Sequence, residues 1–425
     1  MTLSTTDAPS GTRSAGWALA ALGALTLAVV AFTTPWRALP AAAPEVAPSP
    51  ERDFTAEQIA RSQAFDALVS VPAYLSLGLT LVVAGVLVAT PLGARLADRL
   101  RGPWWLRVLL GVLVISAAVA ALRWPLGMWS ETYLREYGLS TQQWPAWSAD
   151  RVKSAGVGTA LTAIMVLAVV ALARRYRRWW IPASAGVFAL TLGASFAYPV
   201  LIEPIFNDFR PMEAGKLRDD LLAMAARDGV PVEDVLVADA SRRTTALNAY
   251  VSGFGATRRI VVYDTLLRAP ADEVELVVAH ELGHAEAGDV LWGTLVGGLG
   301  AACGACLLYA VASAPGLRRR AGVPALGDPR ATGLIMGLVS LATVLSGPAQ
   351  NVVSRQVEAR ADVHALDLTR DPATFVAMQR RLAATNVSDL SPDPLEHLLY
   401  ASHPAAPQRI AAARSWARLN GLPEP

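Results

Sequence analysis

The chain has 425 residues, 53% of them hydrophobic and only 17% charged, with a mean hydropathy of +0.36. That balance excludes an ordinary soluble enzyme and requires apolar surface kept in lipid. The net charge of +2 argues against a nucleic-acid partner, because Lys and Arg gather in short clusters beside hydrophobic segments instead of along one face.

Seven segments are apolar and long enough to cross a bilayer as a helix of about 20 residues: roughly 15–34, 68–92, 104–122, 154–173, 180–200, 290–313 and 331–349. The first also has signal-peptide features, with Arg13 before it and ALPAAAP after it, but its long core and the six spans that follow favour a membrane helix. Trp104, Trp105, Trp179, Trp180 and Trp292 stand at span ends, where interfacial anchors are expected. The spans carry almost no ionisable residue, unlike those of an ion-coupled transporter.

In chain order, the Pro- and Ala-rich linker from Thr34 to Asp66 turns amphipathic at FTAEQIARSQAF, where Thr55 and Gln58 fit a capping box. Residues 123–153 read as an aromatic interfacial loop. Residues 213–229 read as a helix, followed by three strand-like runs, VLVAD, LNAYVSGF and RRIVVYD, with a turn at Gly253–Thr257. Pro270 then opens another helix, with Asp272 and Glu275 in N-cap and N3 positions. Cys303 and Cys306 form a CxxC within an apolar run. With no second ligand pair, close packing of small residues in a membrane helix is the expected role.

The helix opened by Pro270 carries VVAHELGHAEAGD, Val277 to Asp289. His280 and His284 lie one turn apart on one face and can reach one metal ion, and Glu281 can act as general base toward the metal's water. Zinc lowers the pKa of such a water to about 7. A shuffled chain of this composition would give HExxH on the order of a few times in a thousand. Catalytic zinc needs a third protein ligand, and the HExxHxxGxxH extension fails here at Ala287 and Val290. The best remaining source is NVVSRQVEARADVHALDL, which reads as a helix just after the seventh span. Glu358 and Asp362 share a face there. On spacing alone, Glu358 as ligand with Asp362 behind a ligand histidine is no better supported than a solvated face paired with Arg355 and Arg360. His364 is a rival ligand.

HELGH, SRQVEARAD (Ser354 to Asp362), SHPAAPQRI (Ser402 to Ile410), IEPIFNDFRPM (Ile202 to Met212), NAYVSGFGATRRIVVYDTLL (Asn248 to Leu266) and the NVSDLSPDPL run from Asn386 together resemble the zinc-dependent CAAX prenyl endopeptidase family. That family comprises seven-span gluzincins related to HtpX-like proteases. The skew toward Ala, Arg and Gly, with lysine only at Lys153 and Lys216, suggests a bacterial member. The resemblance implies a mainly α, polytopic cell-membrane protein: seven transmembrane helices around an intramembrane chamber, capped by a helix-rich zincin-type catalytic domain with a small β-sheet. The parts divide as 1–200 (spans one to five), 201–289 (first catalytic part, with HExxH), 290–349 (spans six and seven) and 350–425 (second catalytic part, with the third ligand).

The resemblance further implies one Zn2+ per chain held by His280, His284 and Glu358, with Glu281 as general base. His403 would polarise the scissile carbonyl, although a His before Pro also suits a surface turn. Arg409 would hold Asp362, although it could equally be a solvated helix charge. Asn248, Ala249 and Tyr250 would pair with substrate backbone by strand addition, although Asn248 could simply end a strand. Ala405 and Gln408 depart from the family pattern, which commonly has SHPP and an acidic residue before the Arg. The expected activity is endoproteolysis of hydrophobic, lipidated or membrane-associated polypeptides by Glu-assisted attack of zinc-bound water. The alternatives are an HtpX-like quality-control protease and a non-catalytic zinc scaffold or transporter. Arginine clusters after spans two, four and six (Arg95, Arg99, Arg101; Arg174, Arg175, Arg177, Arg178; Arg318, Arg319, Arg320, Arg330) lean toward an extracytoplasmic zinc site by the positive-inside rule, whereas the resemblance implies a cytosolic one. A labelling cysteine at position 256 would decide between them.

Overall fold

A computed structural model describes residues 8–253, 255 and 258–425. The turn expected at Gly253–Thr257, and the labelling site at 256, therefore fall largely outside the described residues. The helices are α1 (Ala8–Thr33), α2 (Pro50–Asp53), α3 (Ala56–Ala89), α4 (Leu92–Arg99), α5 (Trp104–Glu136), α6 (Trp144–Arg175), α7 (Trp180–Leu201), α8 (Glu203–Phe206), α9 (Lys216–Arg227), α10 (Ala271–Glu286), α11 (Asp289–Ala312), α12 (Pro315–Ala321), α13 (Ala331–Thr369), α14 (Pro372–Asn386), α15 (Pro394–Tyr400) and α16 (Ala406–Leu419). Among the described residues, four strands lie between α8 and α10: β1 (Phe209–Pro211), β2 (Asp234–Ala238), β3 (Ala249–Ser252) and β4 (Arg259–Tyr263).

Among the described residues, seven helices, α1, α3, α5, α6, α7, α11 and α13, are long and apolar enough to span a membrane. Even the most enclosed, α13, buries only 33% of its apolar window within the protein, so the remaining surface needs lipid. The fold is thus mainly α with seven spans and a small mixed sheet, as expected.

Several spans run past the bilayer. The segment 123–153, expected as a loop, is mostly helix: α5 continues to Glu136 and α6 starts at Trp144. Its aromatic residues pack on one another, with Trp147 edge-on to Trp124 at 5.4 Å and to Trp144 at 5.6 Å. That mutual burial holds the two helix extensions together. Trp179, expected at the lipid interface, is buried against Tyr309 instead. Cys303 and Cys306 are free thiols inside α11, where Cys306 contacts the Ser184 hydroxyl, in keeping with a packing role.

The sheet order is β1-β2-β4-β3, with β2 and β4 parallel and both flanking pairs antiparallel. β1 was not expected. Its three residues include Pro211, so it reads poorly as a strand and forms only as an edge against β2. β3 is the opposite edge. Val235, Val237, Ile260 and Val262 bury one sheet face in a core shared with α9, α10, α14 and α16. A second apolar cluster lies among the spans.

Two local expectations shift and a third holds. α9 begins at Lys216, three residues later than expected, because Gly215 is fully extended (φ 164°). Pro270, not Asp272, is the N-cap of α10; Asp272 falls in the first turn and accepts from the Glu273 N–H at 3.0 Å. The Thr55–Gln58 capping box forms as expected.

Candidate metal centre

α10 is held by a nearly continuous set of buried residues, Val274, Leu276, Val277, Val278 and Leu282. It packs against the far half of α13. That pairing brings His280, His284 and Glu358 together, although two membrane helices separate them in the chain.

The second nitrogen of each histidine sets what the first can do. His280 Nδ1 lies 2.9 Å from Asp362 Oδ1, and His284 Nδ1 lies 2.8 Å from Asp289 Oδ2. Both carboxylates accept, so both Nδ1 atoms carry the proton and both Nε2 atoms present lone pairs. Those Nε2 atoms are 3.2 Å apart. Glu358 adds its carboxylate, Oε2 at 3.2 Å from His280 Nε2 and Oε1 at 3.5 Å from His284 Nε2. Glu358 Oε2 is buried without a hydrogen bond. Three acceptors converging this closely repel unless a cation lies between them. Metal–ligand bonds of about 2.0–2.1 Å in a tetrahedron put ligand atoms about 3.3 Å apart, close to the spacing observed. The residues therefore fit a metal ion of zinc's size and preference.

The charge balance agrees. Burial would lower the pKa of His280, but the Asp362 and Glu358 carboxylates override it and push the imidazole up to about 9, so without a metal ion a proton takes the Nε2 lone pair that the ion would use. The cluster draws in positive charge. Burial raises the Glu281 carboxyl, against the opposing pull of His280 and His284, which moves it toward the range of a working general base.

Arg409 of α16 is not a solvated charge. It donates from Nε to Asp362 Oδ2 at 2.8 Å and from a terminal nitrogen to Oδ1 at 2.5 Å, a bidentate pair behind His280. Arg355 and Arg360 do not pair with Glu358 or Asp362. Arg360 donates to Asp289, and Arg355 bonds the backbone carbonyls of His397 and Ala401. His364, the rival ligand, lies apart from this cluster: its Nε2 is 3.0 Å from Asp228 and its ring packs next to Gly283.

His403 reaches the site's rim, with Nε2 3.4 Å from Glu358 Oε2. Partial loss of water at the rim lowers its pKa, against the pull of Glu358, which favours the neutral ring. Ser402 Oγ lies 2.9 Å from His403 Nδ1. With the hydroxyl donating, the ring proton belongs on Nε2, facing the metal ligands. Gln408 takes the acidic residue's place and accepts from the Ala405 N–H at 3.1 Å, closing the start of α16.

Asn248, Ala249 and Tyr250 lie at the start of edge strand β3. Tyr263 N–H donates to Asn248 O at 3.0 Å, so Asn248 faces β4. By the alternation of an antiparallel pair, Ala249 and Val251 turn their N–H and C=O groups to the open edge. An open cleft beside this strand is lined by Val251, Arg258, Glu281, His284 and Leu291. It joins the site to the first turn of α11, a membrane helix.

Two residues of the site escaped sequence reasoning. Asp289 reaches His284 because Gly288, at φ +69°, ends α10 in the left-handed region and turns the chain straight into α11. The Gly-Asp pair five residues after His284 was the available signal. Ser402 stood in a recognised motif without a role.

Residues 211–417 match the family profile described as peptidase family M48, and residues 58–208 match that described as the CAAX prenyl protease N-terminal region with five membrane helices. A Bacillus subtilis relative, described as the uncharacterized metalloprotease YhfN, is 30% identical over 306 residues, covering 71% of this chain and 72% of that protein. The chain belongs to peptidase family M48. A rice CAAX prenyl protease 1 homolog is 32% identical over 235 residues, about half the length of each protein (53%). The crystal structure of Saccharomyces mikatae Ste24p superposes with a TM-score of 0.76 at 22% identity, covering 93% of this chain and 99% of that one, a likeness of fold. This M48 peptidase is a multi-pass membrane metalloendopeptidase. None of these matches favours the HtpX-like quality-control alternative.

Proposed function

We propose that His280, His284 and Glu358 hold one zinc ion and that Glu281 and His403 carry the hydrolysis of a peptide bond. The convergence of three lone-pair donors at 3.2–3.5 Å supports this reading. When bound, zinc supplies Lewis acidity to a water molecule and to the scissile carbonyl. Glu281 takes the proton from the attacking water and returns it to the departing amine nitrogen. His403 Nε2–H donates to the carbonyl oxygen as negative charge develops there. Asp362, held by Arg409, keeps His280 in the Nδ1–H form; Asp289, held by Arg360, does the same for His284.

The substrate is a hydrophobic, lipidated or membrane-associated polypeptide that adds as a strand to β3, at the Asn248–Tyr250 end, pairing with the outward groups of Ala249 and Val251. The cleft's contact with α11 supports entry of an apolar chain from the membrane side. The relatives' descriptions as CAAX prenyl proteases favour a prenylated chain within that class.

Glu281→Gln should keep one zinc per chain and lose about 10²–10⁴-fold in kcat. Full turnover in that variant would overturn the mechanism. Val251→Pro removes one outward N–H without touching the β4 ladder, and should raise KM; an unchanged KM argues against strand addition.

A further inference from the structure

We infer that Asn351 and Arg355, on the same face of α13 as Glu358 and Asp362, are positioning residues that set the place of His403. The inference rests on the oxyanion reading of His403. Spacings of four, three and four residues put Asn351, Arg355, Glu358 and Asp362 in one stripe. At 1.5 Å per residue, Asn351 lies about 30 Å along the helix from Ala331, about the thickness of a bilayer core.

α15 is only seven residues long and ends at Tyr400, just before the segment that carries His403. The last four carbonyls of a helix lack partners within it. Here three of them, and the carbonyl of Ala401 just beyond, accept from side chains of α13. Asn351 Nδ2 donates to Leu398 O at 3.2 Å and to Leu399 O at 2.9 Å. Arg355 donates from one terminal nitrogen to His397 O at 2.9 Å and to Ala401 O at 2.6 Å. The last bond lies two residues from His403.

The His403 side chain is 60% exposed, so packing does little to fix its ring, and backbone position decides where Nε2 lies. A helix that carries the ligand Glu358 and also grips this backbone sets the distance between electrophile and metal. Both residues would also satisfy the end of α15 if they had only a structural role, so the test must separate the two.

The experiment measures kcat, KM and zinc stoichiometry for Arg355→Met, Asn351→Asp, His403→Ala and the double variants with His403→Ala. Arg355→Met keeps the stem and removes the donors; Asn351→Asp keeps the shape and sets an acceptor against two carbonyls. Each single variant should lose roughly 10–100-fold in kcat, the scale of an ångström's misplacement, with zinc at one per chain. Neither should slow His403→Ala by more than about 2-fold, because what they position is already gone. Multiplicative losses in the double variants, or zinc lost in the single ones, overturn the inference while His403 keeps its role. A His403→Ala variant at full kcat overturns the oxyanion reading itself. If Arg355→Met fails to fold, the Asn351→Asp cycle decides alone.

Discussion

Gly283 of α10 lies directly against His364 of α13: a Cβ on Gly283 would sit 2.9 Å from His364 Cβ and 3.0 Å from its ring. This contact sets how closely the helix of His280 and His284 approaches the helix of Glu358. The His364 ring is also anchored to Asp228 at 3.0 Å. Because the clash involves Cβ, no rotamer of His364 relieves it.

Gly283→Ala should therefore push the two helices apart. Overpacking of this kind costs about 1–3 kcal/mol, and the displaced Glu358 should weaken metal binding. We expect a lower melting temperature in detergent together with reduced zinc retention during dialysis against a chelator. Wild-type retention in Gly283→Ala would show that the approach of α10 to α13 does not govern the site.

Asp289→Asn should act through His284 alone. The amide can still face Nδ1, but without charge it no longer raises the basicity of the ring or holds Arg360. Loss of such an outer partner typically lowers metal affinity about 10–100-fold. Competition with a chromogenic chelator measures it directly. An affinity within about 2-fold of wild type would remove Asp289 from the metal's supporting shell.

How much of this was legible in sequence depended on distance along the chain. HExxH was readable because its residues are local and helix periodicity alone puts both histidines on one face. Glu358 was readable only in part: spacing aligned it with Asp362 but could not say which face of α13 met α10. Asp289 stayed hidden because its role comes from one left-handed glycine at the junction of two helices. The spans followed from hydropathy, yet the helical extensions at 123–136 and 144–153 did not. The Trp124–Trp147–Trp144 packing that supports them joins two helices and leaves no periodic signature in either.

Asp53 gives a pH-dependent prediction away from the metal. Its side chain is fully buried between Arg414 and Arg380, fastening α2 to α16 and α14. Burial alone would raise its pKa; the two guanidiniums override that and hold it below 3.8. A folded-state value below the unfolded one gives stability that is fully present above about pH 4 and lost as pH falls through the folded value. Asp53→Asn strands the buried Arg414 and should cost about 3–5 kcal/mol at neutral pH. Melting temperatures from pH 6 down to pH 3 should show the gap between wild type and Asp53→Asn narrowing below about pH 4. A gap that stays constant across that range would mean Asp53 is not ionised in the fold.

The membrane face of the zinc site can be predicted from where the arginines gather. Gly327 meets Arg174, Arg330 pairs with Asp98, and Gly333 packs on Gly93, so the Arg-rich ends after α3, α6 and α11 meet near the start of α13. Glu358 lies 27 residues further along that helix, about 40 Å away, on the opposite side of the bilayer. The positive-inside rule predicts a cytoplasmic arginine face and an extracytoplasmic zinc site. In a chain with Cys303 and Cys306 replaced by Ala, Lys216→Cys offers a label on the zinc side, where the native side chain is 89% exposed. Gly316→Cys offers one on the arginine side, where a Cβ meets nothing within 4 Å. In intact cells a membrane-impermeant maleimide should label position 216 and reach position 316 only after permeabilisation. The reverse pattern would place the zinc site in the cytoplasm and make the arginine clusters an exception to the rule.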